Sequence, residues 1–233
     1  QAPDGKLWGV TAFGGSGNSG TIFTYDTAKK VIGWEYEFQG GSDGQVPYGN
    51  VVLDGKGNIY GTTFQGGVNN TGIFYKFNPS TRAFTKLFDF IDTLTGSNPT
   101  GLLNLTKSGK VIGLTNYGGK YQGGTLFVFN PNDSTLKIGV NLNDTLTGTL
   151  PNSGLVQAYN GLYYGLGQYG GSNNDGTIFS YNDSTGKARL EYSFIDTFSG
   201  RNPQGGLMQF HNGLLYGMVS SGGKFGVGTI ISF

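Results

Sequence analysis

The chain has 233 residues, 12% of them charged, a formal net charge of +1 and no cysteine. The charged share is about half the usual one and no Lys/Arg cluster interrupts it, which excludes an electrostatic nucleic-acid footprint. The missing cysteines exclude a disulfide scaffold, and no apolar run nears the roughly 20 residues of a transmembrane helix, so the chain is not expected to span a membrane.

The first segment, 1–49, carries Trp8-Gly9, then Gly14-Gly15, then Gly20 opening the apolar run Thr21-Ile22-Phe23. The second, 50–101, repeats this in phase, with Tyr60-Gly61, Gly66-Gly67 and Gly72. Its elements read as four strands: A over Val51–Leu53, B over Ile59–Phe64, C over Ile73–Phe77 and D over Phe84–Phe90. Turn residues separate them, and the strand residues are β-branched or aromatic. The third segment, 102–153, keeps Gly113, Gly118-Gly119 and Gly124. The fourth, 154–205, keeps Tyr164-Gly165, Gly170-Gly171 and Gly176. The fifth, 206–233, keeps Tyr216-Gly217, Gly222-Gly223 and Gly228. A proline recurs in step at Pro47, Pro99, Pro151 and Pro203. The offset is 52 residues throughout, which marks a repeat architecture.

Short links between B, C and D imply meander pairing, and Asn160-Gly161 and Asn212-Gly213 predict two-residue hairpins between A and B. Four-stranded antiparallel units in tandem, apolar on both faces, predict an all-β fold: one β-propeller domain, 1–233, of about five blades. The glycine inside strand B predicts close approach of a neighbouring blade. Gln1 aligns with the end of strand A and Phe233 with the end of a strand C, so eighteen strands are expected. Both ends then look cut from a longer array; a Gln1 left by signal-peptide cleavage is the alternative reading.

The pattern Ile59-Tyr60-Gly61-Thr62-Thr63, then Gly66-Gly67, with Gly176-Thr177-Ile178-Phe179-Ser180-Tyr181, resembles the bacterial extracellular repeat family named after Gloeobacter and Verrucomicrobia. The resemblance covers the whole chain. It implies an exported, extracellular or cell-surface protein, often with a C-terminal sorting or anchoring signal, and it carries no catalytic residues to transfer. No such signal stands in these 233 residues. A looser similarity is to kelch propellers, which also end their second strand in Gly-Gly; the kelch Trp after strand C has no counterpart.

Candidate sites follow from where loops vary on a constant frame. The B–C loops read Ser16–Ser19, Val68–Thr71, Lys120–Gly123, Ser172–Asp175 and Lys224–Val227. Phe13, Tyr117 and Tyr169 precede their glycine pairs, and Asn69, Asn70, Asn173 and Asn174 lie within them. Aromatic faces beside Asn donors suit sugars. The glycine pairs themselves, Gly14/Gly15 to Gly222/Gly223, are expected to be structural, since no helix follows them and no Lys-Ser/Thr accompanies them. The D–A segments Phe90–Pro99, Asn143–Gly148 and Phe194–Pro203 form a second repeated motif, read as polar loops of Asx and Ser/Thr turns. The first such loop, Gly40–Pro47, departs from that pattern.

Catalysis finds little footing. His211 is the only histidine and sits in an A–B turn, and the three glutamates, Glu35, Glu37 and Glu191, fall in D strands. No zinc spacing or acidic calcium loop is present, and neither metal nor cofactor is expected. Sequons at Asn69, Asn104, Asn132, Asn143 and Asn182 are weak evidence of glycosylation in so Asn- and Thr-rich a chain. Three functions stay open: a non-enzymatic scaffold or adhesion module, a glycan-binding propeller, and a metal-dependent hydrolase or lyase. The first leads, with other surface proteins, glycans or further copies of itself as partners.

Overall fold

The computed structural model describes Ala2 and residues 5–233. These residues form five antiparallel sheets. The first comprises β1 (Lys6–Thr11), β2 (Thr21–Asp26) and β3 (Val31–Glu37). The second comprises β4 (Val52–Leu53), β5 (Ile59–Thr63), β6 (Ile73–Asn78) and β7 (Ala83–Asp89). The third holds β8 (Ser97–Leu105), β9 (Val111–Tyr117), β10 (Thr125–Asn130) and β11 (Thr135–Asn141). The fourth holds β12 (Val156–Gln157), β13 (Tyr163–Gly167), β14 (Thr177–Asn182) and β15 (Lys187–Ser193). The last is β16 (Arg201–Pro203), β17 (Met208–Gln209), β18 (Leu215–Ser221) and β19 (Thr229–Ser232). The middle three sheets are A-B-C-D meanders in chain order, as the repeat predicts. The whole is a β-propeller.

Alternation along each strand sends one set of side chains toward the preceding blade and the other toward the following one. Ile22 and Phe38 of blade 1 pack on Ile59, Tyr75 and Phe77 of blade 2. Tyr60, Phe74 and Phe90 then meet Leu103, Phe127 and Phe129. Leu114, Leu126 and Leu142 meet Tyr163, Phe179 and Tyr181, and Leu166, Ile178 and Phe194 meet Leu215 and Val219. The core is thus four interfaces in series. The strand-B glycine makes room inside its own blade and not, as the sequence predicts, for the neighbouring one: a Cβ on Gly113 would run into Phe127 of strand C and Leu103 of strand A in the same sheet, because the strand-C ring lies across the glycine.

A backbone clasp joins each blade to the next at the end where strand B turns into C. Asn98 N–H donates to Thr71 O at 2.7 Å, Leu150 N–H to Gly123 O at 2.9 Å and Asn202 N–H to Asp175 O at 2.9 Å. The proline that follows lies against the third glycine of the preceding blade, as Pro99 does against Gly72 and Pro203 against Gly176. That contact explains why proline and third glycine recur together.

Three further expectations need correction. The D–A segments are not plain loops. Asp92–Thr95 forms a single helical turn, α1, and Asp196–Ser199 a second, α2, while Ser97–Pro99 already belongs to strand A. In blade 3 strand A is therefore long, with a register shift between Thr100 and Asn104, and in blade 5 it breaks into β16 and β17, which both pair with β18. That break raises the count from the expected eighteen to nineteen among the described residues. The Asn-Gly turns are not two-residue hairpins either. Only Gly161 takes positive φ (83°), and Gly161 N–H reaches Ala158 O at 2.8 Å, giving a longer turn with one left-handed residue. Asn160 uses its side chain instead, bonding the Leu162 amide at 3.0 Å and the Tyr164 hydroxyl at 2.9 Å. Gln1, aligned with strand A, lies outside the described residues.

Candidate functional site

In a meander of this order, the B–C loops and the D–A turns gather at one end of the propeller. The geometry there starts from the glycine pairs. Gly67 N–H donates to Gly41 O at 2.8 Å; Gly119, Gly171 and Gly223 donate to Asp92 O, Asp144 O and Asp196 O, each at 2.6 Å. Both glycines of each pair have positive φ, 77° and 74° at Gly118 and Gly119. A Cβ on Gly118 would overlap the Asp92 carbonyl of the preceding D–A turn. Four of the five pairs therefore hold one blade's loop against its neighbour's turn, with the second amide of each taken by a turn carbonyl.

The asparagines divide into two groups. Asn70 and Asn174 adopt positive φ (57° and 58°) and accept the Gly66 and Gly170 amides on Oδ1, both at 2.9 Å. Asn18 does the same for Gly14 at 3.0 Å. These three close their own loops, because a short side-chain carbonyl tolerates left-handed backbone and caps the amide four residues back. Asn173 Nδ2 reaches Phe194 O at 3.4 Å, and Asn69 stays exposed. In the D–A turns, Thr95 Oγ1 accepts the Ile91 amide at 2.7 Å, Thr147 Oγ1 the Asn143 amide at 2.9 Å and Ser199 Oγ the Ile195 amide at 2.8 Å.

With the loop-closing asparagines and turn hydroxyls engaged, this end presents apolar and aromatic side chains to solvent. Phe13 is 60% exposed, Tyr117 44%, Tyr121 52% and Tyr169 36%. The turn tips add Leu94, Leu146 and Phe198, and the last B–C loop adds Phe225. Phe13, Tyr117 and Tyr169 sit one per blade, so they share an end but not a single pocket.

One junction differs from its counterparts. Between blades 3 and 4 lies a cavity of about 380 Å³ lined by Tyr121, Asn143, Asp144, Thr145 and Thr149. The equivalents of Asn143 are Gln39, Ile91 and Ile195, and those of Tyr121 are Gly17, Asn69, Asn173 and Phe225, so this junction alone combines an amide with a tyrosine. Asp92 accepts the Ser97 hydroxyl at 2.8 Å and Asp196 stands 3.6 Å from Arg201; the Asp144 carboxylate has neither partner and is exposed. Lys120 Nζ lies 5.2 Å from the Tyr121 ring centre. An aromatic face, a free carboxylate and an amide around an open hollow can bind a polyhydroxylated ligand. Sequence reasoning selected Tyr117 and passed over Tyr121, although the column comparison held the signal. Among the described residues, no three of His, Asp and Glu converge to hold a metal ion, and no helix is long and apolar enough to cross a membrane.

The opposite end, built from A–B and C–D turns, is charged and cross-linked. Lys110 Nζ is 3.3 Å from Asp183 of the next blade, and Ser108 Oγ donates to the same carboxylate at 2.7 Å. Arg82 Nη1 pairs with Glu35 of the preceding blade at 2.8 Å. Asp54 accepts the Lys56 and Asn58 amides, both at 2.8 Å, and the Tyr60 hydroxyl at 3.1 Å. Burial alone would raise the Asp54 carboxyl, but these bonds hold it below the usual carboxylate range.

Solved structures share this fold at low identity. The extracellular domain of a proposed hybrid two component system from B. thetaiotaomicron is 17% identical with a TM-score of 0.60; the match covers 93% of this chain and 25% of that one. A chain of the nidogen/laminin complex is 14% identical with a TM-score of 0.61, covering 94% of this chain and 69% of that one. TolB from Acinetobacter baumannii is 16% identical with a TM-score of 0.54, covering 92% and 49%. The chain thus spans about a quarter of the length of the two component system domain. No curated protein matches it. A family model described as the Gloeobacter/Verrucomicrobia repeat matches residues 1–231, nearly the whole 52-residue array, and the chain belongs to that family.

Proposed function

We propose that the chain is a non-enzymatic extracellular propeller module that attaches to a surface partner through the end carrying the B–C loops and D–A turns. The observation that carries this reading is the exposure of Phe13, Tyr117, Tyr121, Tyr169 and Phe198 on loops and turns closed by their own hydrogen bonds. Exposed aromatics on rigid loops are contact residues with little ordering cost on binding. The extracellular setting is supported by the family and by its likeness to an extracellular domain. Fractionation of the producing cell tests it: recovery only from cytosol would defeat the extracellular part of the proposal.

A second reading, glycan binding, is favoured by the Tyr121–Asn143–Asp144 hollow. A glycan array with the wild type and with Tyr121→Ala, Tyr117→Ala and Tyr169→Ala separates the two. Reproducible binding lost in Tyr121→Ala assigns the partner as a sugar; no glycan hit, with retained adhesion to a protein-coated surface, assigns it as a protein. The metal-dependent hydrolase or lyase reading has no donor set to start from among the described residues.

A further inference from the structure

The junction of blades 3 and 4 has a second cavity, at the turn end. It measures about 260 Å³ and is walled by Lys107 of the blade 3 A–B turn, by Gln157 and Tyr163 of blade 4, and by Asp183 of the blade 4 C–D turn. Tyr163 is 1% exposed and belongs to the same core cluster as Leu114, Leu126 and Phe179. Its hydroxyl is buried and has no hydrogen-bond partner among the described residues. A buried hydroxyl without a partner is costly, and packing does not require one here: the other residues of this column are Leu7, Ile59, Val111 and Leu215.

The other walls depart from the repeat in the same direction. At the junction of blades 2 and 3 the four places hold Gly55, Leu105, Val111 and Pro131. Lys107 is exposed, and no ion pair or hydrogen bond engages its ammonium among the described residues. Gln209, the blade 5 equivalent of Gln157, bonds the Tyr159 amide and the Gly213 carbonyl, both at 2.7 Å; Gln157 makes no such bond. The Asp183 carboxylate accepts Ser108 Oγ at 2.7 Å on one oxygen and lies 3.3 Å from Lys110 Nζ on the other, which leaves each oxygen a lone pair. Burial raises the Tyr163 hydroxyl above its usual range and the Asp183 charge raises it further, so the phenol stays a neutral donor beside a carboxylate.

A hydroxyl fits between such a pair, because it accepts from the phenol and donates to the carboxylate. The free Lys107 ammonium adds a place for an anionic group, and Lys107 and Lys110 together disfavour a cation. The volume falls just short of the roughly 300–1,000 Å³ of drug-sized sites, which limits the occupant to one small ring. We infer that this cavity binds a small hydroxylated carboxylate of the uronic-acid class, with a hydroxyl between Tyr163 and Asp183 and the carboxylate on Lys107. Gln157 is free to bond a second hydroxyl. The site is separate from the hollow at Tyr121, which lies at the opposite end of the same junction.

The test titrates sodium galacturonate and sodium glucuronate into the 233-residue chain by calorimetry. One of them should saturate at one molecule per chain with a Kd below about 10 mM. Galactose, which lacks the carboxylate, and propionate, which lacks the hydroxyls, should each bind at least about fivefold more weakly. Tyr163→Phe removes the hydroxyl alone and puts an apolar ring in an apolar column. Its urea midpoint should be no lower than that of the wild type, while its affinity falls at least about fivefold. Lys107→Ala, at an exposed site, should weaken uronate binding about threefold. Tyr121→Ala should bind as the wild type does. No saturation by either uronate up to about 50 mM, or unchanged affinity in Tyr163→Phe or Lys107→Ala, would overturn the inference. So would propionate binding as tightly as the uronate. Loss in Tyr121→Ala with retention in Tyr163→Phe would overturn it too, by placing the sugar acid in the loop-end hollow.

Discussion

The two ends of the propeller are finished from the same repeat by different means. At the loop end, neighbouring blades are joined by backbone: glycine amides on turn carbonyls, and a clasp such as Asn98 N–H on Thr71 O. At the turn end they are joined by side chains: Lys110 with Asp183, Arg82 with Glu35, Lys56 with Asn132. Backbone joints leave side chains free, so the loop end varies its aromatics without loosening the frame. Side-chain joints fix the residues that make them, so most of the turn end has little left to offer a partner. Tyr159 and Phe210 are its exposed aromatic exceptions.

The largest expected effect comes from breaking a backbone joint. Gly118→Val places a β-branched side chain at φ 77° and against the Asp92 carbonyl. It should lower stability by about 3 kcal/mol, the upper range for forced backbone strain. Urea unfolding measures it. A variant that keeps its midpoint but loses a defined ligand would make the glycines a binding loop and reverse the comparison.

A smaller loss is expected at the turn end. Asp54→Ala leaves the Tyr60 hydroxyl and the Lys56 and Asn58 amides without their acceptor, at a cost of about 2 kcal/mol. The pH dependence has a definite sign. The folded carboxyl lies below its unfolded value, so its contribution is present above about pH 4 and fades as pH falls through the folded value. Urea midpoints of wild type and variant should therefore differ at neutral pH and converge in acid; a constant gap would show that charge is not what Asp54 contributes.

These two sites also mark what the sequence shows and hides. Periodicity placed β5, β6 and β7 to within a residue at each end, because alternation and turn residues are local signals. It missed the first half of strand A. Ser97–Pro99 pairs with Tyr117 and Thr115 across a bulge and contains a proline, so it reads locally as a loop. The Pro–Gly contacts and the amide-to-carbonyl joints were visible only as columns, since nothing local tells which distant backbone a glycine faces. In the candidate site, Asn70 and Asn174 resemble ligand donors in sequence, but left-handed backbone turns their Oδ1 atoms onto their own loops.

The clasp can be improved, which sharpens the comparison from the other side. Val46 has φ 57° and its equivalent Leu150 φ 52°, whereas the other two, Asn98 and Asn202, carry a residue type that tolerates this region. Val46→Asn should raise stability by about 1 kcal/mol, read as a higher urea midpoint. A loss would mean that the Val46 side chain matters more than its backbone. At the turn end, Glu35→Gln should cost only about 0.5 kcal/mol, because Arg82 is largely solvated. Added salt should shrink that difference.

Tyr121→Ala should change stability least and binding most. The ring is 52% exposed and lies beneath the Lys120 ammonium, so its removal forfeits little packing. The loop keeps its shape because the Gly119 amide, bonded to Asp92 O at 2.6 Å, does not involve the ring. The melting curve should match the wild type, while retention on the immobilised partner, glycan or protein, falls. An unchanged retention would move the contact surface away from the blade 3–4 junction. A fall in melting temperature as large as that of Asp54→Ala would show that Tyr121 belongs to the frame, and the division of labour between the two ends would fail at the residue where it is most specific.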